Sequence, residues 1–189
     1  VLLMSQMLDT LASYVPWLIA RRFTEDPTPQ TEPFQEQFPA AVLFADISGF
    51  TKLAEKLTQR GPAGAEQITR ILNNYFGQLI DLITVHGGDV VKFAGDGLYA
   101  IWPCMVHDED IETITRRAIQ SALEIQEKLN DYEAAPGEFL SMRMGIGAGD
   151  VLAATVGGVL KRWEFLLTGD PVRQMNTASD IAYPGAVVL

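Results

Sequence analysis

The sequence is poor in cysteine, in histidine and in positive charge. Its 189 residues include one cysteine, Cys104, and two histidines, and 14 lysines and arginines stand against 24 aspartates and glutamates, giving a formal net charge of −10. A single cysteine excludes a disulfide within the chain and favours a reducing compartment, so we expect a cytoplasmic protein. The shortage of cations argues against nucleic acid as a partner, because phosphate contacts need clustered lysine and arginine. An anionic substrate would need a metal ion or a few well-placed cations.

Long hydrophobic runs are also missing, since none approaches the roughly 20 residues needed to cross a bilayer. The apolar opening "VLLMSQMLDTLASYVPWLIARRF" is interrupted by Asp9 and Pro16, so we interpret it as an amphipathic segment and not as a signal peptide. The proline-rich stretch from Thr24 to Pro39 is predicted to be an extended connection. Residues 1–39 would then pack on a single compact domain over residues 40–189. Because the chain begins with Val and stops inside "AVVL", we expect a piece of a longer protein.

Hydrophobic periodicity predicts the elements of the first half of the domain. The run "AAVLFAD" indicates a buried strand that delivers Asp46 at its carboxyl end, and "FTKLAEKLTQ" a helix that Ser48 caps and Gly61 ends. The next segment predicts a long helix with one apolar face: Ala65, Ile68, Leu72, Tyr75, Phe76, Leu79 and Ile83. The stretch "DVVKFAGDGLYAIW" is typical of a β-hairpin with Asp96 at its tip.

The second half of the chain alternates helix and strand signals irregularly. The segment "DEDIETITRRAIQSALEIQEKLN" predicts a second long helix, and "FLSMRMGIGAGDVLAATVGG" and "RWEFLLTGD" predict strands joined by glycine-rich turns. A short helix with Pro171 in its first turn and a closing strand "AVVL" complete the chain. These elements favour an α+β domain with a mixed or antiparallel sheet covered by helices.

Two aspartates stand at corresponding places after an apolar run: Asp46 lies three residues before Gly49, and Asp96 lies between Gly95 and Gly97. Taken singly, Asp46 is more typical of a helix cap and Asp96 of a hairpin turn. Taken together, adjacent strand ends would bring both carboxylates to one edge of a sheet, where they repel unless a cation lies between them. Mg²⁺ suits such a pair, because it is usually held by one or two carboxylates plus substrate phosphates. The start of the helix at Gly49, Phe50 and Thr51 would offer free amides to a phosphate at the same place.

The segments "FADISGFTKLAEKL" and "KFAGDGLYAIW", followed by "RMGIGAGDV" and "LLTGDPV", resemble the class III adenylyl/guanylyl cyclase catalytic domain. The resemblance covers residues 40–189. The segment before it is similar to the region that precedes the first cyclase domain of bicarbonate-responsive, soluble adenylyl cyclases. The resemblance implies a ferredoxin-like βαββαβ core with active sites at the interface of two such domains.

The resemblance also implies a reaction and its metal site. The ribose 3′-hydroxyl of ATP would attack its own α-phosphorus, release pyrophosphate and close the 3′,5′ ring. Two ions, Mg²⁺ foremost with Mn²⁺ or Ca²⁺ as substitutes, would be bound by Asp46, Asp96 and the carbonyl of Ile47. Backbone amides at Phe50 and Thr51 would contact the terminal phosphates and Arg143 the polyphosphate, although a strand arginine can also be merely structural.

Other positions depart from a self-sufficient cyclase. Lys92 matches a base-reading lysine, but Leu166 stands where a polar residue would complete base selection. On the late helix, Arg173 stands at an asparagine position and Thr177 at the position of a transition-state arginine, and such a loss commonly costs about a hundred- to thousandfold in rate. The sequence therefore indicates half an enzyme that needs a second cyclase domain. Bicarbonate would bind between Lys92 and a late-helix arginine, a position held here by Asn176, with Arg173 one turn away.

Two alternatives remain open. The chain could be a catalytically silent regulatory or dimerisation module, which Leu166 and Thr177 favour. It could also be another metal-dependent enzyme on a similar fold, such as a diguanylate cyclase relative, although "GGDVV" lacks the second acidic residue and the aromatic of that signature. The choice between ATP and GTP depends on a partner domain that the sequence does not contain.

Overall fold

The computed structural model describes residues 15–105 and 109–189. The first part of the predicted amphipathic segment, residues 1–14, lies outside these ranges. The helices are α1 (Trp17–Glu25), α2 (Phe50–Thr58), α3 (Pro62–Val85), α4 (Ile111–Leu129) and α5 (Asp170–Ile181), with one 3₁₀ turn at Val159–Lys161. The strands are β1 (Phe34–Ser48), β2 (Asp89–Ala94), β3 (Gly97–Pro103), β4 (Tyr132–Ala135), β5 (Glu138–Gly157), β6 (Trp163–Thr168) and β7 (Val187–Val188). No helix in the described ranges is long and apolar enough to cross a membrane.

A seven-stranded sheet forms the centre of the molecule, with the order β2-β3-β1-β5-β4 and with β6 and β7 also paired to β5. All pairings are antiparallel except that of β5 with β7. The order of β1, β2, β3 and β5 together with the helices between them is the βαββαβ arrangement that the sequence predicts. The expected α+β fold is therefore confirmed.

The central strand β1 separates two apolar clusters. Leu43, Ala45 and Ile47 lie in the larger cluster with α2, α3 and α4, whereas Val42 lies in a smaller one with Leu18 of α1 and others. Side chains alternate along a strand, so Asp46 belongs to the face of Val42 and not to the helix-covered core. The alternation leaves the carboxylate 17% exposed at the end of a buried strand.

Helix α1 is fixed to the sheet by a half-buried acid and an ion pair. The Trp17 amide donates to Oδ2 of Asp89 at 2.6 Å, and Arg21 Nη2 donates to both carboxylate oxygens of Glu36 at 2.9 and 2.7 Å. Burial raises the pKa of the Asp89 carboxyl, although the amide hydrogen bonds act in the opposite direction. The segment that precedes β1 is thus packed on the sheet.

Strand β1 begins at Phe34, inside the stretch predicted as a connection. Its first six residues pair with β5 alone, and pairing with β3 begins at Ala40, opposite Pro103. Pro39 stands at this boundary, where it needs no amide partner on the β3 side, which is how proline is tolerated in a strand. The glutamine- and proline-rich composition concealed this extension, because an edge segment needs little apolar content.

Three local expectations are wrong. Ser48 does not cap α2: the residue before the helix is Gly49, with φ of 95° and no side-chain cap. Gly61 does not end that helix, which stops at Thr58; Gly61 instead precedes α3. Ala65 is exposed, and the inner face of α3 carries Ile71 and Leu82 in addition to the predicted Tyr75, Leu79 and Ile83.

Glycines on β5 allow α5 to lie directly on the sheet. A Cβ at Gly145 would come within 2.2 Å of the Met175 carbonyl oxygen, and one at Gly147 within 2.1 Å of the Pro171 carbonyl oxygen. Backbone atoms of a packed helix cannot give way as a flexible side chain can. The pair of glycines therefore sets the distance between α5 and the strand that carries Arg143.

We predict that Gly145→Ala lowers the free energy of unfolding by about 1–3 kcal/mol, because the added methyl group overpacks the contact with α5. Urea unfolding followed by circular dichroism measures the change. Gly77→Ala is the matched control: nothing lies within 4 Å of its Cβ position inside α3, so the same substitution should be neutral or stabilising. Equal effects of both substitutions would contradict the packing argument.

Candidate active site

The two predicted aspartates come together at one edge of the sheet. Asp46 of β1 lies opposite Gly97 of β3, the residue directly after Asp96. Ala94 pairs with Gly97, so Gly95 and Asp96 form a two-residue hairpin turn, and the positive φ of 65° at Gly95 is of the kind such turns require. The turn therefore places Asp96 beside the end of β1.

Gly97 is required at this position by packing. A Cβ there would lie 2.6 Å from the ring of Phe44, which in turn packs on Tyr99 with ring centroids 4.6 Å apart. Any side chain at position 97 would push the hairpin away from β1. The glycine thereby keeps Asp96 close to Asp46.

Arg143 is the direct partner of Asp46 on the other side of β1. The two residues face each other in the β1–β5 register, and Nε and Nη2 of Arg143 both lie 2.7 Å from Oδ2 of Asp46. The side chains are 34% and 17% exposed, so the ion pair is only partly screened by water. The sequence placed Arg143 near a phosphate site but gave no signal of its contact with Asp46.

The predicted phosphate loop follows β1 directly. Pairing of β1 with β3 ends at Asp46, whereas pairing with β5 continues through Ile47 to Ser48. Gly49 then turns the chain into α2, and a Cβ at Gly49 would meet the Phe139 carbonyl oxygen at 3.0 Å. The first amides of α2, at Phe50 and Thr51, have no partner within the helix and can bind an anion.

A second group of predicted residues surrounds a cavity of about 170 Å³ on the same face of the sheet. Lys92 and Leu166 line it, together with Tyr99 and with Val172 and Met175 of α5. The Lys92 ammonium lies 5.6 Å from the centroid of the Tyr99 ring, and the Tyr99 hydroxyl donates to Oδ1 of Asn176 at 3.3 Å. Leu166 is 45% exposed.

Tyr99 is a candidate residue that the sequence reasoning missed. Its position on β3 could have identified it. Tyr99 is the second residue after Gly97, and Gly97 lies opposite Asp46, so Tyr99 and Asp46 belong to the same face of the sheet. A tyrosine at a strand position of an apolar hairpin is ordinarily assigned to packing, which is why the pattern alone did not single it out.

The remaining predicted residues of α5 do not reach this cavity. Arg173 is 72% exposed and pairs with Asp170 at 3.0 Å, and the Thr177 hydroxyl donates to the Arg173 carbonyl oxygen at 3.0 Å. The helix presents Val172 and Met175 to the cavity instead. Arg173 therefore does not stand in for the late-helix arginine in this arrangement.

The sequence of the domain matches a known family. The family described as "Adenylate and Guanylate cyclase catalytic domain" matches residues 33–188. The chain belongs to this family.

Among curated proteins, the cyclase domain is similar to adenylate cyclase type 10. It is 33% identical to that of Oryctolagus cuniculus over 181 residues, covering 95% of this chain and 11% of the relative. It is 32% identical to that of Homo sapiens over 159 residues, covering 83% of this chain and 10% of the relative. The chain thus spans about a tenth of the length of these proteins.

Solved cyclase structures share the fold. The guanylyl cyclase Cya2 superposes with a TM-score of 0.63 at 26% identity, covering 80% of this chain and 74% of that one. A bacterial light-regulated adenylyl cyclase gives a TM-score of 0.65 at 22% identity, covering 94% and 49%. The guanylate cyclase domain of RhGC from Catenaria anguillulae, solved with GTP, gives 0.64 at 22% identity, covering 80% and 78%. The last two likenesses support the fold alone.

The carboxylates of the cyclase domain suit a metal ion that takes some of its ligands from the protein and the rest from a bound substrate. Among the described residues, no group of three or more histidine, cysteine, aspartate or glutamate side chains could hold a metal ion. A pair such as Asp46 and Asp96 is instead the ligand set expected for Mg²⁺ that completes its coordination with phosphate oxygens and water. Class III cyclases generally depend on divalent metals.

We predict that Arg143→Met lowers the free energy of unfolding by about 1–2 kcal/mol. This is more than the loss expected when an exposed ion pair is removed and less than that for a buried pair. The reason is that Asp46 loses its counter-ion at a partly buried position. Arg116→Met is the control, since its pair with Glu112 is 65% and 76% exposed and its loss should change stability little. Identical unfolding curves for the two variants would contradict this account of Asp46.

Proposed function

We propose that this cyclase domain is the metal-binding half of an adenylyl cyclase, converting ATP to 3′,5′-cyclic AMP and pyrophosphate together with a second, complementary cyclase domain. The observation that carries the proposal is the register of β1, which sets Asp46 opposite Gly97 and so beside Asp96. Adenylyl chemistry is inferred from the similarity to adenylate cyclase type 10 over 95% of the chain. GTP is the alternative substrate.

The proposed ligands of two divalent ions are the carboxylates of Asp46 and Asp96 and the carbonyl of Ile47. When bound, the ions would lower the pKa of the attacking 3′-hydroxyl and neutralise the polyphosphate. Mg²⁺ is the expected ion, with Mn²⁺ or Ca²⁺ able to replace it.

The chain's own groups have separate tasks around these ligands. The amides of Phe50 and Thr51, beside Gly49, would hold the terminal phosphates at the start of α2. Arg143 supplies a guanidinium within hydrogen-bond distance of Asp46, where it balances one carboxylate charge and would contact the polyphosphate of an incoming nucleotide.

We infer the need for a partner from the residues at the cavity beside Lys92. Leu166 offers no hydrogen bond to a purine, and the hydroxyl of Thr177 bonds to its own helix. Two copies of this chain would therefore combine good metal ligands with an incomplete base pocket. A bicarbonate site there rests on Lys92 alone, because Asn176 bonds to Tyr99 and Arg173 to Asp170.

A second candidate function is a silent cyclase-like module that regulates or dimerises a partner. The lack of a polar group at Leu166 and of a guanidinium at Thr177 favours it. The two functions differ in what Asp46 does: the silent module would tolerate its loss, and the catalytic half would not.

We predict that Asp46→Asn and Asp96→Asn each abolish most Mn²⁺ binding, measured by electron paramagnetic resonance in the presence of a non-hydrolysable ATP analogue. Both should also abolish cyclic AMP formation by the protein together with its second cyclase domain. Asp81→Asn is the control, because Asp81 is an exposed carboxylate on α3 and is not one of the proposed ligands. Full activity of Asp46→Asn with the partner domain would establish the silent module instead.

We further predict that the missing half can be restored by substitution. The variant Leu166→Thr, Arg173→Asn, Thr177→Arg with Asp46→Ala carries base-reading and transition-state groups but no intact metal pair. Mixed with the unaltered chain it should form cyclic AMP at least about a hundredfold faster than either protein alone, the range expected for restoring one electrostatic donor.

Complex formation between the two proteins is measured in parallel by analytical ultracentrifugation. A complex that forms and stays inactive would contradict the assignment of residues 166, 173 and 177. If no complex forms, the same substitutions are tested in a single chain that fuses the two domains.

A further inference from the structure

A larger cavity than the one at Lys92 lies between α1 and the outer part of the sheet, away from the proposed metal ligands. Its volume is about 880 Å³, within the range of small-molecule sites, which is about 300–1,000 Å³. Its walls come from the inner face of α1, the proline-rich connection after α1, the start of β1, the end of β5, and β6. The proposed metal pair does not line this cavity, and Phe165 is the one lining residue that it shares with the cavity at Lys92 among the described residues.

The walls are mostly apolar. Leu18 and Phe23 of α1, Phe34 of β1 and Trp163 and Phe165 of β6 all line the cavity. Phe23 is 51% exposed and Phe34 40% exposed, although both face a concave apolar surface. Large aromatic side chains left open to water in this way are typical of a ligand site.

The charged residues of the lining leave an excess of positive charge. Arg22 and Lys161 contribute two cations, and Glu36 is the one carboxylate of the lining among the described residues. Glu36 is already neutralised, because both of its oxygens accept hydrogen bonds from Arg21 Nη2, at 2.9 and 2.7 Å. The lining thus carries a net positive charge in a chain of net charge −10, and the carboxylates of Asp26 and Glu32 line a smaller adjoining cavity that shares Arg22.

Arg22 is held in a way that prepares it for an anion. Its guanidinium carbon lies 3.8 Å from the centroid of the Phe34 ring, and its Nη1 is buried without a hydrogen-bond partner in the described parts of the chain. A buried N–H group of a cation without a partner is costly, and an incoming carboxylate would satisfy it with a charge-assisted hydrogen bond.

We propose that this cavity binds an anionic amphiphile, a single-chain carboxylate whose tail lies against Phe23, Phe34 and Trp163 and whose head group pairs with Arg22. The proposal is independent of cyclase activity. It commits to a free carboxylate and not to a membrane surface, because the cavity is bounded by elements on several sides and not presented as a flat face.

The test is calorimetric and fluorescence titration of the full 189-residue chain with decanoate, below its micelle concentration, with decanol and decyltrimethylammonium as comparisons. Decanoate should bind, change the fluorescence of Trp163, and bind more tightly than decanol; the cation should bind least. Absence of binding, equal binding of decanoate and the cation, or binding to anionic lipid vesicles without binding of free decanoate would overturn the proposal.

Two variants and one control locate the site. Arg22→Gln should weaken decanoate binding about tenfold or more, the effect of removing a charged hydrogen-bond donor, and leave decanol binding unchanged, which also shows that the variant is folded. Thr155→Trp should fill the cavity and abolish binding of both. Arg162→Gln should behave as the unaltered chain, because Arg162 is an exposed arginine between β5 and β6 that does not line the cavity. Decanoate affinity that survives both Arg22→Gln and Thr155→Trp would refute the assignment.

Discussion

The pairing of β1 with β3 on one side and β5 on the other positions Asp46, Asp96 and Arg143. Asp46 lies in one row with Gly97 and Arg143, and that row exists only in the observed register. A shift of one residue would turn Asp46 into the helix-covered core and bring its apolar neighbours to the site face. The burial of Leu43, Ala45 and Ile47 at 3% exposure or less is therefore what holds a carboxylate at the edge of the sheet.

Electrostatics in this domain is local and not global. The net charge of −10 repels a nucleotide at long range, and attraction must come from a few positions. Arg143 and the amides at the start of α2 both lie at the end of β1. Sheet pairing with β5 brings Arg143 there, whereas the amides follow β1 directly in the sequence. A few positions also determine the charge of the cavity beside α1. There Arg21 neutralises Glu36, so Arg22 can pair with a bound anion.

The sequence predicted the parts of the site that are local. An apolar run ending in aspartate and a glycine-flanked aspartate in a hairpin were sufficient to expect two carboxylates at one sheet edge. The order of elements was sufficient for the α+β class, whereas the βαββαβ core was expected from the resemblance to cyclases. What it could not predict depends on contacts between distant segments. The Arg143–Asp46 pair joins residues 97 positions apart, and the Tyr99–Asn176 bond joins residues 77 apart. Ser48 failed as a cap for a similar reason, since the close approach of Phe139 requires glycine at position 49.

Pro39 marks the point at which β1 changes from a central strand to an edge strand. Over residues 34–38 one side of β1 faces β5, and no strand of the described chain pairs with the other. An open strand edge of that kind invites strand addition by another molecule and hence aggregation. The imide at Pro39, which cannot donate a hydrogen bond, and the Arg21–Glu36 ion pair laid across the same stretch oppose such pairing. The composition that disguised this stretch as a linker is thus what keeps it from acting as a template for intermolecular β-sheet.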